Sequence, residues 1–264
     1  MAARTPRSER FLIADAGNTT VHFGICTATR LLCRFRVPSR PTGALAAAKG
    51  ELAAGIAAHG PLAGALVSSV VPRLNGTLAR ICRDAGVAAV FLTHETPSGI
   101  RLAYPRPWEI GADRIANAVA ARELHGAPAI VVDVGTALTF DCISARGEYL
   151  GGIIAPGPRL SCAALAGHTG LLPLVEPAAP PGVIGRSTVQ AIRSGVVLGT
   201  RLLIRGLVKE LRRPLGGRPA LIFTGGQFGL VARGWAHHGL VEPFLTLHGL
   251  RIIRARLPRG DGPG

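Results

Sequence analysis

One short pattern occurs twice in this chain, and it limits the possible folds more than any other feature. Phe11–Ala14, the turn Asp15-Ala-Gly-Asn-Thr-Thr and Val21–Ile25 write an apolar run, an Asp-x-Gly turn and a second apolar run. The same order returns 118 residues later as Ala129–Val132, Asp133-Val-Gly-Thr and Ala137–Ile143. Each copy continues into a third strand-like stretch, Leu31–Val37 in the first and Tyr149–Ile154 in the second. Short aliphatic and β-branched runs bounded by Gly and polar residues are strand signals. An Asp-Gly turn alone is a common hairpin signal, but its duplication with matched flanks points to two related lobes facing each other.

Further strands are expected at Ala65–Val70, Val87–Leu92 and Ala220–Phe223. Helical periodicity covers Gly43–Ala58, Leu74–Ala85, Ala112–His125, Thr188–Arg212 and Phe228–His238. The longest of these repeats Ile192, Val196, Gly199, Leu203, Leu207 and Leu211 at helical spacing. Strands alternating with helices indicate an α/β architecture. The expected division is a basic tail over 1–10, an N-terminal lobe over 11–115 and a C-terminal lobe over 116–264.

Composition narrows the class. At 264 residues the chain is long enough for a real core, and 48% hydrophobic against 17% charged residues excludes a disordered protein. No apolar run approaches the roughly 20 residues that span a bilayer. The Arg-bearing start is followed only by Phe11–Ala14, too short for a signal-peptide core. A soluble, cytoplasmic protein is expected, with no membrane partner. The net charge of +15 invites a nucleic-acid reading. The basic residues, however, are Arg save for Lys49 and Lys209, and they are dispersed apart from a mild concentration at 201–218 and 251–259. Without a zinc finger, RNP sequence or basic zipper, nucleic acid is not an expected partner, and the charge reads as a solvated basic surface. Cys26, Cys33, Cys82, Cys142 and Cys162 form no C-x-x-C pair and read as idle thiols in a reducing compartment. His237-His238 reads as a surface pair.

The two turns carry the parts that hold a triphosphate. Gly17 and Gly135 lack a Cβ, so main-chain N–H groups can approach phosphate oxygens. Asn18, Thr19, Thr136 and Thr139 add short donors, and Asp15 and Asp133 stand where a strand ends, able to hold a hydrated cation. A Walker-type loop and a kinase Gly-rich loop with its lysine are both absent. Phosphates would therefore lie between two hairpins. Glu109-Ile-Gly-Ala-Asp-Arg-Ile-Ala-Asn117 opens a helix. Asp113 is either a helix-dipole partner or a general base with Arg114 beside it to engage an anion. Gly151-Gly-Ile-Ile-Ala-Pro-Gly157 follows, then Gly185-Arg-Ser-Thr188, which caps the long helix, and Phe223-Thr-Gly-Gly226, whose glycines admit a flat base against main chain.

In this order the elements resemble the type III pantothenate kinases, the Bvg accessory factor family, of the acetate kinase, sugar kinase, heat-shock ATPase and actin superfamily. Asp15-x-Gly-Asn-Thr is similar to the family's first phosphate motif and Asp133-x-Gly-Thr-Ala to its second. Ser68-Ser-Val-Val-Pro-Arg-Leu74, Gly111-Ala-Asp-Arg114 preceded by Tyr104, and Leu245-Thr-Leu-His-Gly-Leu-Arg251 also fit. The resemblance covers nearly the whole chain.

It implies two actin-like lobes with a duplicated RNase H-like fold, and a homodimer formed through the long helices. It also implies transfer of the γ-phosphate of ATP to the primary hydroxyl of pantothenate, giving 4'-phosphopantothenate, the first step of coenzyme A biosynthesis. On the same basis Asp113 is the base, and Asp15, Ala16, Gly17, Asn18, Thr19, Thr20, Val21, His22 and Thr136 bind ATP. Tyr104, Gly111, Ala112, Asp113, Arg114 and Thr188 contact substrate, with Thr188 reaching it from the partner subunit. Asp133 holds K⁺ or NH₄⁺ and Asp15 holds Mg²⁺. Two positions depart from the pattern: His22 stands where some members carry a basic residue, and Ser187 replaces a common asparagine. With only Lys49 and Lys209 available, bound metals and main-chain amides would supply the positive charge. Two other readings compete: a non-catalytic regulatory or nucleic-acid-associated protein on this fold, and a kinase of the superfamily for another hydroxy or carboxylate substrate. Three of only six Asp standing at motif positions speaks against a decayed site.

Overall fold

The computed structural model describes residues 9–258; most of the expected basic tail lies outside that range, and Arg10 already belongs to the first strand. β1 (Arg10–Ala16), β2 (Thr20–Cys26) and β3 (Leu31–Pro38) form an antiparallel meander. The chain continues through α1 (Ala47–His59), β4 (Leu62–Ser69), α2 (Asn75–Asp84), β5 (Ala89–Phe91) and α3 (Ala112–His125). The order then recurs: β6 (Ala129–Val134), β7 (Ala137–Ile143) and β8 (Tyr149–Pro156) make the second meander. They are followed by α4 (Pro158–Gly167), α5 (Thr188–Arg193), α6 (Gly199–Leu215), β9 (Ala220–Thr224), α7 (Phe228–Ala232), β10 (Leu240–Val241) and α8 (Leu245–Arg256).

The two sheets have one topology. Their spatial orders are β3-β2-β1-β4-β5 and β8-β7-β6-β9-β10. In each, the first strand pairs antiparallel with the second and parallel with the fourth. The expected α/β fold, one RNase H-like lobe of the actin type built twice, is what the chain forms. One face of the first sheet packs Leu12, Ala14, Val21, Phe23 and Val67 against α1 and α2, and the corresponding face of the second packs Ile130, Val132, Leu138 and Phe140 against α6. Alternation along each strand leaves Asp15 and Asp133 on the faces opposite these cores.

The chain divides into two compact units, one running to Glu123 and taking up the segment from Leu245, the other Leu124–Phe244. The division expected at 115/116 is thus moved into the last turn of α3, and the C-terminal helix leaves the second unit for the first. α8 packs on β1 and β4. Its Arg254 guanidinium lies 4.7 Å from the Phe11 ring centroid, Arg251 donates to Ala28 O, and a Cβ on Gly249 would come within 1.9 Å of Ala116 O. Such contacts reach far along the sequence and leave no local periodic trace.

Thr188 to Leu215 is continuous helix interrupted by a π turn at Ser194–Leu198. The turn inserts an extra residue, so the apolar stripe expected to run on through Gly199, Leu203 and Leu207 slips by one. Thr200, Ile204 and Val208 are buried instead, while Leu203 is exposed. The helix expected to reach His238 stops at Ala232, with Gly234 at φ +72° beyond it. There the chain turns so that Trp235 and His237 pack edge-on against Phe223, and His237 also against Phe228. His237 is therefore an aromatic packing residue, and only His238 is exposed. Among the described residues no helix is long and apolar enough to cross a membrane.

Candidate active site

Parallel pairing puts a small hydroxyl residue beside each strand-end carboxylate. In the first unit Asp15 is in register with Ser68 on β4, and Ser68 Oγ donates to Asp15 Oδ1 at 2.9 Å. On the other side Asp15 is in register with His22, and His22 with Arg36. Burial first, then Arg36 and Arg34, lower the His22 pKa, so the ring is neutral near pH 7. The turn after Asp15 closes with Gly17 N donating to Thr20 O at 3.1 Å. Asn18 and Thr19 are exposed at its tip and Thr20 is half-buried. Ala16 and Val21 point into the core, so of these two only the main chain faces the turn.

Asp113 is the second residue of α3, and its Oδ1 accepts from Arg114 N at 2.8 Å. Gly111 makes this possible, since a Cβ there would lie 2.5 Å from that oxygen and 3.5 Å from Val70 Cγ1. Val70 N in turn donates to Ala16 O at 3.1 Å. The start of α3 therefore rests on the segment that leaves β4, next to the end of the strand bearing Asp15. Asp113 retains some accessible surface, but its carboxyl is packed round by protein. Burial raises its pKa against the lowering effects of the Arg114 amide and guanidinium. A cap on a solvated helix start would shift the other way. Ala112 is buried; Arg114 is half-buried, as is Tyr104 in the connection between β5 and α3.

In the second unit Asp133 is in register with Thr224 at the end of β9. Gly225 (φ +94°) crosses so close that a Cβ would stand 2.4 Å from Asp133 Oδ1 and 2.5 Å from Val134 N. The turn is tighter than its counterpart, with Gly135 N donating to Ala137 O at 3.0 Å. Gly157 presses on it from β8: its N donates to Thr136 O at 3.0 Å, and a Cβ would meet Gly135 O at 2.1 Å. Three glycine motifs read separately along the sequence thus meet around one strand end.

Two residues that motif reasoning missed fix these turns. Ser39, fully buried, donates from Oγ to Gly17 O at 2.6 Å and from N to Thr19 O at 3.0 Å. Gln227 donates from Nε2 to Gly135 O at 2.7 Å and accepts from Arg159 N at Oε1, 3.1 Å. Their only sequence signal is position, one just past β3 and the other just past the paired glycines.

Thr188 is exposed at the first position of α5. Ser187 is the N-cap, its Oγ accepting from Gln190 N at 3.3 Å, while Gln190 Oε1 accepts from Arg186 N at 2.9 Å. A Cβ on Gly185 would lie 2.3 Å from Ala191 N, so glycine is required there. Serine thus meets the capping need at 187. Thr188 borders an apolar groove of about 820 Å³ between α4 and the long helix, lined by Leu165, Ile192, Val196 and Leu203 among others.

The raised pKa of Asp113 has a consequence for stability. A carboxyl whose pKa is higher folded than unfolded favours the fold below its unfolded pKa, about 3.9, and that contribution is lost as pH rises through the folded value. Asp113→Asn keeps the shape and the acceptor oxygen without the buried charge. Thermal melts should show the variant more stable than wild type near neutral pH, with the gap closing as pH falls toward the ordinary carboxylate range. A variant less stable at neutral pH would contradict a desolvated carboxylate.

Known proteins resemble this chain over most of its length. The type III pantothenate kinase family profile matches residues 11–210. A type III pantothenate kinase of Akkermansia muciniphila is 40% identical over 92% of this chain and 97% of its own length. One from Moorella thermoacetica is 38% identical over 93% and 98%. Among solved structures, the ethanolamine utilization protein EutJ of Carboxydothermus hydrogenoformans superposes with a TM-score of 0.55 at 16% identity, covering 92% of this chain and 89% of that one, which speaks to the fold alone. With the duplicated sheet, both Asp-x-Gly turns and the Gly-Ala-Asp-Arg helix start in hand, the chain belongs to the type III pantothenate kinase family.

Proposed function

We propose that this protein transfers the γ-phosphate of ATP to the primary hydroxyl of pantothenate, with Asp113 as the base. The observation that carries the reading is the Asp113 carboxyl. It is desolvated, raised in pKa and seated at a helix start that rests on the strand end bearing Asp15. Raising a carboxylate's pKa toward working pH strengthens it as a proton acceptor. Asp113 aligns the hydroxyl and takes its proton late, since phosphoryl transfer depends mostly on alignment and charge neutralisation. Tyr104, Gly111, Ala112, Arg114 and Thr188 contact pantothenate. ATP engages Asp15–His22 and Thr136, with Ala16 and Val21 acting through main chain alone and neutral His22 as a hydrogen-bonding group.

Among the described residues there is no cluster of three or more His, Cys, Asp and Glu. A cation at either turn would be held by the strand-end carboxylate with hydroxyl and main-chain oxygens, a donor set that suits hard ions. Asp15 fits hydrated Mg²⁺, and Asp133, under the glycine cradle of Gly225, fits K⁺ or NH₄⁺. These ions would offset negative charge on the phosphates. A cytoplasmic location accords with five free cysteines, among which burial pushes the Cys82 thiol up to about 11 and raises Cys26 and Cys162 as well.

The protein acts as a homodimer. The groove beside Thr188 is apolar, Leu171, Leu174, Val183, Ile184 and Leu202 are each exposed in the same unit, and exposed apolar surface of this kind marks an interface. The partner surface would cover it.

ADP release in the presence of ATP, Mg²⁺, K⁺ and pantothenate tests the reaction. Wild type should release ADP only with pantothenate present, and Asp113→Asn should turn over about 10²–10⁴-fold more slowly with little change in ATP binding. Wild-type turnover in that variant would reduce Asp113 to a helix-start residue. Asp133→Ala should lose most activity together with any response to K⁺ or NH₄⁺; full wild-type activity in Na⁺ alone would refute the cation assignment. Light scattering should give a dimer mass for wild type and a monomer mass for Leu202→Glu/Leu203→Glu. A monomeric wild type would overturn the dimer.

A further inference from the structure

The glycine of each Asp-x-Gly turn has its carbonyl held by a side chain from outside the hairpin. Gly17 O accepts from Ser39 Oγ at 2.6 Å, and Gly135 O accepts from Gln227 Nε2 at 2.7 Å. The two clamps have no common sequence origin. Ser39 follows β3 in the first repeat, whereas Gln227 follows β9 in the second. Each is also tied by its own main chain: Ser39 N donates to Thr19 O at 3.0 Å, and Gln227 N to Val134 O at 2.9 Å.

A trans peptide fixes its C=O and the following N–H antiparallel. Holding the Gly17 carbonyl toward Ser39 turns the Asn18 N–H the opposite way. Holding the Gly135 carbonyl toward Gln227 does the same for the Thr136 N–H. Glycine is otherwise the residue most free to flip that peptide. Gln227 uses both ends of its amide, since Oε1 also accepts from Arg159 N in the first turn of α4, among the amides that have no partner within their own helix.

We propose that Ser39 and Gln227 are matched positioning residues, which fix the peptides after Gly17 and Gly135 so that the Asn18 and Thr136 amides are preset as phosphate donors. This rests on the reading that ATP engages these turns. Neither residue touches ATP; both act through a glycine peptide. Their loss raises the cost of ordering the turn around phosphate and leaves the pantothenate side alone.

The test is steady-state kinetics on the full-length protein with ATP, Mg²⁺, K⁺ and pantothenate, alongside thermal melts. Ser39→Ala and Gln227→Leu should each raise the KM for ATP about 5–10-fold, the size expected for a lost hydrogen bond to a preset group. The KM for pantothenate should stay within about twofold. Gln227→Glu supplies a readout that mere packing would not move. A protonated carboxyl supplies the one donor and one acceptor bond that the amide makes here, whereas a carboxylate only accepts. Only its protonated form can donate to the Gly135 carbonyl, so relative to wild type at the same pH its KM for ATP should fall back as pH is lowered from about 8 to about 5. Gln227→Leu should show no such recovery.

An unchanged KM for ATP in both Ser39→Ala and Gln227→Leu, in an enzyme that is otherwise active, overturns the inference and leaves the pantothenate kinase reading standing. So do equal changes in both KM values accompanied by a lower melting temperature, which would mark the residues as structural. A wild type that does not phosphorylate pantothenate removes the reading, and the inference with it.

Discussion

The parallel pairing of the first and fourth strands is the constraint on which the site depends. In an α/β sheet the carboxyl ends of parallel strands are where chain leaves the sheet and where ligands gather. That pairing sets Asp15 beside Ser68 and Asp133 beside Thr224, one carboxylate and one hydroxyl at each strand end. It also brings the segments leaving β4 and β9 against the turns that follow β1 and β6. Val70 therefore meets Ala16 and supports the helix bearing Asp113, and Gly225 closes over Asp133. A strand register shifted by one would carry both carboxylates into the cores, because side chains alternate between faces.

Close main-chain approach is the second constraint, and glycine alone satisfies it. At Gly157 and Gly225 a Cβ would collide with backbone or with the Asp133 carboxyl, and at Gly111 with the Asp113 carboxyl. The contacts of Gly157 and Gly225 join segments distant in sequence, so a methyl group there would push apart the loops around Asp133. With two lysines in the chain, neither in a turn, the proposed phosphate contacts fall to main-chain amides and short hydroxyls. Such donors serve only when their peptides are oriented in advance.

Much of this was legible in the sequence because it is local. The duplicated Asp-x-Gly pattern gave both meanders and put the carboxylates at strand ends, and the start of α3 at Ala112 followed from the Gly-Ala-Asp-Arg segment. What was not legible depends on long-range contact. α8 joins the first unit through Arg251, Arg254 and Gly249, whose partners lie more than a hundred residues away. The π turn that moves burial from Leu203 to Ile204 arises within an unbroken apolar stripe, where periodicity registers nothing. Ser39 and Gln227 belong to no motif, and their roles are defined by carbonyls of turns elsewhere in the chain. His237 looked like a surface residue until Phe223, Phe228 and Trp235 surrounded it.

The most direct measurement is a crystal structure of the protein with a non-hydrolysable ATP analogue, Mg²⁺ and pantothenate. The expected density has phosphate oxygens within hydrogen-bonding distance of the Asn18 and Thr136 amides, and the pantothenate primary hydroxyl against the Asp113 carboxyl. An analogue bound with its phosphates away from both Asp-x-Gly turns, or pantothenate remote from Asp113, would contradict the strand-end carboxylates as the centre of the chemistry.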